Sequence, residues 1–151
     1  MNSATYNKTV DVLTILKDAG AVTSSGTGQV GGSAKIIDLA GDPTGTTTTP
    51  TAGMGSAPDI GMVETLIDVT ACDAADTNET YVLYIEVSNS SSFASGNLVV
   101  AQIPIIRGTT GRFLLPFSNW QAGTYYRYVR IGHTLGGTTP SINYVARIGK
   151  Q

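Results

Sequence analysis

Residues 81–88 read Tyr-Val-Leu-Tyr-Ile-Glu-Val-Ser, and this stretch decides the fold class. Leu83, Ile85 and Val87 recur at every second position. Because successive side chains of a β-strand point to opposite faces, this alternation predicts a strand with one face in a core. The side chains predicted to point outward from the same strand are Tyr84, Glu86 and Ser88.

Strand patterns of this kind recur along the chain. The segments are Val10–Lys17, Lys35–Leu39, Met62–Val69, Leu98–Arg107, Gly111–Pro116, Tyr125–Thr134 and Ser141–Ile148. In Tyr125–Thr134, alternation predicts that Val129 and Ile131 point inward. In Met62–Val69 and Ser141–Ile148, alternation places these side chains on one shared face of each strand: Val63, Thr65, Ile67 and Val69 in the first, and Ile142, Tyr144, Ala146 and Ile148 in the second. With the strand at 81–88 this makes about eight strands, which predicts an all-β, two-sheet sandwich or a barrel.

Two local predictions accompany this assignment. The strands Leu98–Arg107 and Gly111–Pro116 flank the turn Gly108–Thr110, so we expect them to pair as a hairpin. The segment Val10–Lys17 fits a strand, but Thr9 as a cap and Gly20 as a stop also fit a short helix. We favour the strand because the rest of the chain has β patterns.

Length and composition agree with a single domain rich in strands. The chain has 151 residues, of which only 13% are charged, and water-exposed helices usually carry more charge than this. Residues 1–9 are polar and are predicted to form an N-terminal arm, followed by one domain over residues 10–151. Residues 40–60 are rich in Pro, Gly and Thr and are predicted to form a long loop, which is uncommon inside a compact domain.

Charge and hydropathy exclude several classes of partner. The net charge of −2 gives no basic patch for nucleic acid and does not favour an anionic membrane. No apolar run approaches the roughly 20 residues of a spanning helix. The first residues show no basic stretch followed by an apolar run, so folding in a cytoplasm is expected. The single Cys72 agrees with this compartment, because it has no internal disulfide partner.

Three motifs were considered for chemistry, and none predicts an enzyme, a cofactor or a metal. The segment Gly26–Gly31 matches GxGxxG literally, but a short strand follows it where a dinucleotide site needs a helix. His133 is the single histidine and lacks the partners of a catalytic triad or a zinc site. A turn with several oxygen ligands fits no calcium loop and is interpreted as a solvated acidic turn; its residues are Asp73, Asp76, Asn78 and Glu79.

The order and spacing of several segments resemble a known family. The segments are Lys17–Thr23 (KDAGAVT), Lys35–Leu39 (KIIDL), Pro58–Gly61, Arg112–Pro116 (RFLLP), Arg127–Ile131 (RYVRI) and Gly136–Thr138. Together they resemble the small capsid cement proteins of tailed bacteriophages, of the Bordetella-phage type, over residues 10 to 148. The sequence departs from this pattern at residues 40–57, which are longer and richer in Thr than the family leads us to expect.

The resemblance implies a jelly roll that sits on the outside of a phage capsid and binds neighbouring major capsid subunits. It also implies a small homo-oligomer, with a homodimer preferred to a homotrimer. The expected location is therefore the exterior of the virion, after synthesis in the host bacterial cytoplasm. In this interpretation the arm 1–9 and the loop 40–60 reach adjacent subunits.

Aromatic and arginine side chains are the ones that protein interfaces select. The candidate anchors are Tyr6, Phe117 and Trp120, and the candidate polar contacts to acidic capsid loops are Arg107, Arg112 and Arg130. The alternative function is a carbohydrate- or receptor-binding module on a phage particle, because sugar rings also stack on exposed aromatic side chains.

Overall fold

A computed structural model describes residues 15–39 and 63–150 of the chain. These residues form 14 strands and no helix, which confirms the all-β prediction. The strands are β1 (Ile15–Lys17), β2 (Ala21–Val22), β3 (Gly26–Thr27), β4 (Gln29–Val30), β5 (Ser33–Ala34), β6 (Ile37–Asp38), β7 (Val63–Cys72), β8 (Thr80–Ser88), β9 (Leu98–Ile105), β10 (Gly111–Phe117), β11 (Trp120–Gln121), β12 (Thr124–Tyr125), β13 (Tyr128–Gly136) and β14 (Ile142–Lys150). Within this part of the chain, no helix has the length and apolar character to cross a membrane.

Two antiparallel sheets pack face to face as a β-sandwich. Sheet A has the order β1-β14-β7-β10, and β2 also pairs with β14. Sheet B has the order β3-β13-β8-β9, and β6 also pairs with β13. The two remaining pairs, β4–β5 and β11–β12, are short ribbons of two residues per strand.

The core consists of the inward faces of the longest strands, as the alternation predicts. In β7 the buried side chains are Val63, Thr65, Ile67 and Val69, and in β14 they are Ile142, Tyr144, Ala146 and Ile148. Sheet B contributes Leu83, Ile85, Val87, Val129 and Ile131 from the opposite side. Every inward assignment made from these patterns is confirmed.

The predicted hairpin between residues 98–107 and 111–116 is wrong. Strand β10 pairs with β7 in sheet A, whereas β9 pairs with β8 in sheet B. The residues between β9 and β10 turn a corner from one sheet to the other, with Gly108 at a φ of 74° and a hydrogen bond of 3.0 Å from the Thr109 N–H to the Ile106 carbonyl. The physical reason is burial, because the corner lets Phe113 and Leu115 reach the core from the sheet opposite Ile105.

The outward orientation predicted for Ser88 is also wrong, because Ser88 is fully buried. Its hydroxyl donates to the Ser95 carbonyl at 3.1 Å and accepts the Ser90 N–H at 3.0 Å. The end of β8 therefore leads into a loop that the Ser88 hydroxyl holds in place. Because this hydroxyl has hydrogen-bond partners inside the protein, Ser88 does not need to face water.

Several boundaries differ from the patterns. Strand β7 continues to Cys72, β10 continues to Phe117, and the strand predicted to start at Tyr125 starts at Tyr128. The Gly-rich residues 24–33 contain β3 and β4 and the start of β5. Of the segment predicted as a strand at 10–17, Ile15–Lys17 is a strand and the rest lies outside the described residues.

The sandwich has two distinct ends, which the register defines. At the first end, Val63 lies opposite Phe117 and Tyr128 lies opposite both Ser88 and Asp38. The ribbon β11–β12 follows Phe117, so we name this the hairpin end. At the other end, the acidic turn 73–79 lies beside the corner 106–110, and we name it the acidic end.

Candidate functional site

The hairpin Trp120–Tyr125 presents an aromatic pair at the hairpin end. Trp120 pairs directly with Tyr125, and the two-residue turn between the strands has Ala122 at a φ of 47° and Gly123 at a φ of 83°. Positive φ at both central positions defines the turn whose twist matches a β-hairpin. The side chain of Trp120 is 45% exposed, which is unusual for so large an apolar group.

Hydrogen bonds from the base of the hairpin fix its position. Asn119 is buried, donates through Nδ2 to the Tyr126 carbonyl at 2.9 Å and accepts the Tyr126 N–H on its own carbonyl at 2.9 Å. Gln121 donates through Nε2 to the Ser118 carbonyl at 2.9 Å. A fixed aromatic anchor loses little conformational freedom on binding, so this hairpin is suited to a contact with another macromolecule.

A second set of contacts joins the hairpin to its neighbours. Asn89 donates through Nδ2 to the Tyr125 carbonyl at 3.0 Å and accepts the Arg127 N–H at 2.9 Å. The Arg127 guanidinium bonds both carboxylate oxygens of Asp38, with a closest distance of 2.7 Å, and this carboxylate raises the pKa of Arg127. The Leu39 N–H then donates to the Arg127 carbonyl at 2.8 Å. These hydrogen bonds and the ion pair hold the hairpin end in a fixed conformation.

The predicted arm 1–9 and loop 40–60 lie outside the described residues, and so does Tyr6. The residues that bracket the loop are Leu39 and Val63, and both lie at the hairpin end. Strand β1 runs antiparallel to β14 from Ile15, opposite Arg147, toward the acidic end. The two residues that bracket the predicted loop are therefore at the same end as Trp120, whereas Ile15 lies beside the middle of β14.

The sequence-predicted anchor Phe117 is not a surface residue. It is 3% exposed and belongs to the core, opposite Val63. Strand β10 extends one residue beyond the predicted end, and the alternation through Phe113 and Leu115 then turns Phe117 inward. Phe117 is therefore withdrawn as a contact residue.

The three predicted arginines do not form one site. Arg112 lies on the outer face of sheet A, where its 68% exposed side chain bonds Asp68 at 2.9 Å. Arg130 lies on the outer face of sheet B, bonds Glu86 at 2.6 Å and covers the Phe93 ring at 4.2 Å. Arg107 is exposed at the acidic end, where it donates to the Asp76 carbonyl at 3.1 Å. Among the predicted contacts in the described residues, only Trp120 is at the hairpin end and exposed.

Sequence reasoning missed other exposed apolar side chains. Ile106 is 75% exposed at the corner and Leu114 is 57% exposed on the outer face of sheet A. The pattern of β10 contained the signal for Leu114, because it alternates with Phe113 and Leu115, which face inward. No sequence signal marks Ile106, since its exposure depends on the corner that replaced the predicted hairpin.

Each of the three carboxylates in the acidic turn accepts a separate local hydrogen bond. Asp73 accepts the Ala75 N–H at 2.9 Å, Asp76 accepts the Thr139 hydroxyl at 3.0 Å and Glu79 accepts the Tyr81 hydroxyl at 2.9 Å. Burial, together with the Glu79 carboxylate, raises the pKa of Tyr81 to about 12. Within residues 15–39 and 63–150, no three His, Cys, Asp or Glu side chains are grouped so as to hold a metal ion.

The literal GxGxxG segment has a packing role. Gly26 pairs with His133 in the sheet, and the turn at Gly31 and Gly32 has φ values of 59° and 79°. A Cβ atom at Gly28 would approach the Leu16 carbonyl oxygen to 2.6 Å, so the absent side chain allows the backbones to meet. Strand β4 lies within the segment and β5 follows it, so the segment does not lead into the helix N-terminus of a dinucleotide site.

His133 is buried within the sandwich. Its Nδ1 lies 2.9 Å from the Tyr144 hydroxyl, and burial followed by the nearby Lys17 charge lowers the pKa of His133. The Lys17 ammonium donates to the carbonyls of Asp18, Gly20 and Tyr144 at 2.8, 2.8 and 3.0 Å. Burial lowers the pKa of Lys17 and raises that of Tyr144. The side chains of Lys17, His133 and Tyr144 bond one another or backbone carbonyls, and these bonds hold the two sheets together.

No protein-family model matches the chain, and a search of curated proteins finds no match either. The resemblance to capsid cement proteins therefore stays a prediction.

Proposed function

We propose that this chain is a structural protein of a tailed phage, which binds the outside of the capsid through its hairpin end and joins neighbouring major capsid subunits. The observation that carries the proposal is the concentration of attachment features at one end of a stiff sandwich. Trp120 is exposed there on a hairpin held by hydrogen bonds, and Leu39 and Val63, the described residues that bracket the predicted loop, lie at the same end.

The strand order supports a jelly roll. Counting β1–β2 and β3–β6 as one strand position each, and leaving out the separate ribbon β11–β12, gives eight positions, the number of a jelly roll. Positions one, eight, three and six are neighbours in sheet A, and positions two, seven, four and five are neighbours in sheet B. Two Greek keys wrapped around one core have this order, because the chain repeatedly crosses between the sheets.

Binding to an assembled shell stabilises it by mass action when the protein binds the shell better than free subunits. A sandwich with several attachments at one end gains further affinity, since the second contact forms at the high effective concentration set by the first. In this proposal the partners are the major capsid protein and a second copy of the chain, and neither nucleic acid nor membrane is involved. The location is the virion exterior.

A binding measurement on phage shells that lack this protein tests the proposal. We expect Trp120→Ser to weaken binding by about 30-fold or more, the effect of removing an interface hot spot worth about 2 kcal/mol. Leu114→Ser is the matched control, because it removes a comparably exposed apolar side chain from the outer face of sheet A. Equal binding by both variants and the wild type would contradict the role of the hairpin end.

A carbohydrate- or receptor-binding module is the second candidate. The observation in its favour is the cross-strand pair of Trp120 with Tyr125, since aromatic side chains on a fixed hairpin suit stacking on a sugar ring. Glycan-array binding that Trp120→Ser abolishes, with no binding to shells, would replace the capsid proposal by this one.

A further inference from the structure

A buried polar cluster joins the two sheets at the edge covered by residues 18–34. Tyr144 of sheet A and His133 of sheet B meet edge to face, with ring centroids 5.9 Å apart and planes at 76°. The Lys17 ammonium lies 4.6 Å from the centroid of the Tyr144 ring. All three side chains are almost inaccessible to water.

The hydrogen bonds of His133 fit the neutral ring. In the neutral ring that carries its proton on Nε2, Nδ1 accepts the Tyr144 O–H at 2.9 Å. A proton on Nδ1 would turn the Tyr144 hydroxyl into an acceptor and leave its own proton without this partner. Charging the ring therefore disrupts a satisfied buried network, which is costly.

Within the part of the chain that the structure describes, the charged groups around His133 give the protonated ring no counter-ion. Lys17 of β1 is a second cation, and its ammonium donates to the backbone carbonyls of Asp18, Gly20 and Tyr144. The Asp18 carboxylate follows it in the chain but accepts the Gly31 N–H at 2.8 Å. The facing residues of β3 and β8 are Gly26 and Leu83, neither of which titrates, and burial raises the pKa of the nearby Tyr144 phenol.

The segment that covers the cluster depends on β13 around His133. The Gly28 N–H donates to the Ile131 carbonyl at 2.8 Å, and the Leu135 N–H donates to the Ser25 hydroxyl at 2.9 Å. Strand β3 pairs with β13 only through Thr27 opposite Gly132 and Gly26 opposite His133. So short a pairing opens at a lower free-energy cost than the long strands of the core.

We propose that His133 is an acid-sensitive latch, which holds residues 18–34 against β13 while the ring is neutral and releases them when the ring takes up a proton. The device is separate from the proposed capsid contact, because it lies at the β1–β3 edge and uses none of the hairpin residues.

The direction of the pH dependence follows from the lowered pKa of the folded state. An exposed histidine titrates near 6.5, so the opened segment binds a proton at a higher pH than the closed one. Closure is fully stable above about pH 6.5 and weakens as the pH falls from there toward the lower pKa of the closed state. Because the chain has a single histidine, a transition in this window is assigned to His133.

Residue-resolved amide hydrogen exchange at about pH 7.5 and about pH 5 tests the latch, with rates corrected for the intrinsic effect of pH. We expect the Gly28 and Leu135 amides to lose at least about tenfold in protection at the lower pH, while Ala146 in the core changes by less than about twofold. In His133→Gln, whose amide keeps one donor and one acceptor, the Gly28 amide should respond no more than Ala146 does.

Two results would overturn the latch: a wild-type Gly28 amide whose protection is the same at both pH values, or an identical acid response in His133→Gln. If that variant does not fold, the wild type still decides the question through an NMR titration of the His133 ring. The midpoint of opening at Gly28 must coincide with the midpoint of that titration, and separate midpoints reject the proposal.

Discussion

Thr65 is a polar residue in the core of the sandwich. It is fully buried between Leu115 and Ile148 in sheet A, and its hydroxyl has no hydrogen-bond partner among residues 15–39 and 63–150. A buried hydroxyl without a partner costs free energy, because it has lost its bonds to water. We expect Thr65→Val to increase the free energy of unfolding by about 1 kcal/mol, measured by urea denaturation.

Thr70→Val is the control for this substitution. Thr70 is exposed on the same strand and its hydroxyl contacts the Asn143 carbonyl at 3.3 Å, so the change should stay within about 0.5 kcal/mol. A loss of stability in Thr65→Val larger than in Thr70→Val would show that the Thr65 hydroxyl is satisfied in the folded protein.

Gly28 gives a second prediction at the residue scale. Alanine at this position would place Cβ at 2.5 Å from Ile131 Cγ2 and 2.6 Å from the Leu16 carbonyl oxygen, so the strands must separate. We expect Gly28→Ala to lower the free energy of unfolding by about 2 kcal/mol or more, in the same denaturation experiment.

Gly26→Ala is the matched control, since its Cβ would meet nothing nearer than His133 Nε2 at 3.5 Å. It should cost less than about 1 kcal/mol. If both substitutions proved equally tolerated, close backbone packing would not be the reason for a glycine at position 28.

At the scale of the strands, two ion pairs of the same type should differ in how much they add to the free energy of unfolding. Arg130 and Glu86 join β13 to β8 and are 20% and 14% exposed, whereas Arg112 and Asp68 join β10 to β7 and Arg112 is 68% exposed. Arg130 also covers Phe93, so its removal uncovers an aromatic ring and leaves a half-buried carboxylate. A water-exposed ion pair contributes little, because solvent screens it.

We therefore expect Arg130→Ala to lower the free energy of unfolding by about 2 kcal/mol and Arg112→Ala by less than about 1 kcal/mol. Thermal and urea unfolding of the two variants measure the difference. The reverse order would mean that the contacts of Arg130 do not stabilise the sandwich.

The strands themselves could be predicted wherever burial is one-sided. In β7 and β14 every second residue is apolar or Thr65, and the inner face follows directly from the alternation. The partner of β10 could not be predicted in this way, because Gly108 serves equally well in a hairpin turn and in a corner between sheets. Only the packing of Phe113 and Leu115 against the other sheet selects the corner.

At the scale of the whole molecule, the candidate surface was only partly predictable. Trp120 could be selected because protein interfaces favour aromatic side chains, and the structure exposes it. Phe117 was selected on the same ground, but one more residue of strand turned it into the core. Whether the arginines lie together depends on the topology, which alternation does not contain.

The difference between the two ends predicts how the sandwich is oriented on the proposed capsid. The hairpin end carries Trp120 and the exits of the chain at Leu39 and Val63, while the acidic end carries the turn 73–79 and Arg107. A protein that joins shell subunits must present several contacts to one surface, and only the hairpin end combines them in the described part of the chain. The account therefore predicts that the acidic end faces away from the shell.

A reconstruction of the phage particle at side-chain resolution tests this central claim most directly. The account predicts density for the sandwich on the outer surface of the head, with Trp120 against the major capsid protein and the turn 73–79 toward solvent. A head without this chain, or a sandwich seated on its acidic end with Trp120 in solvent, would contradict it.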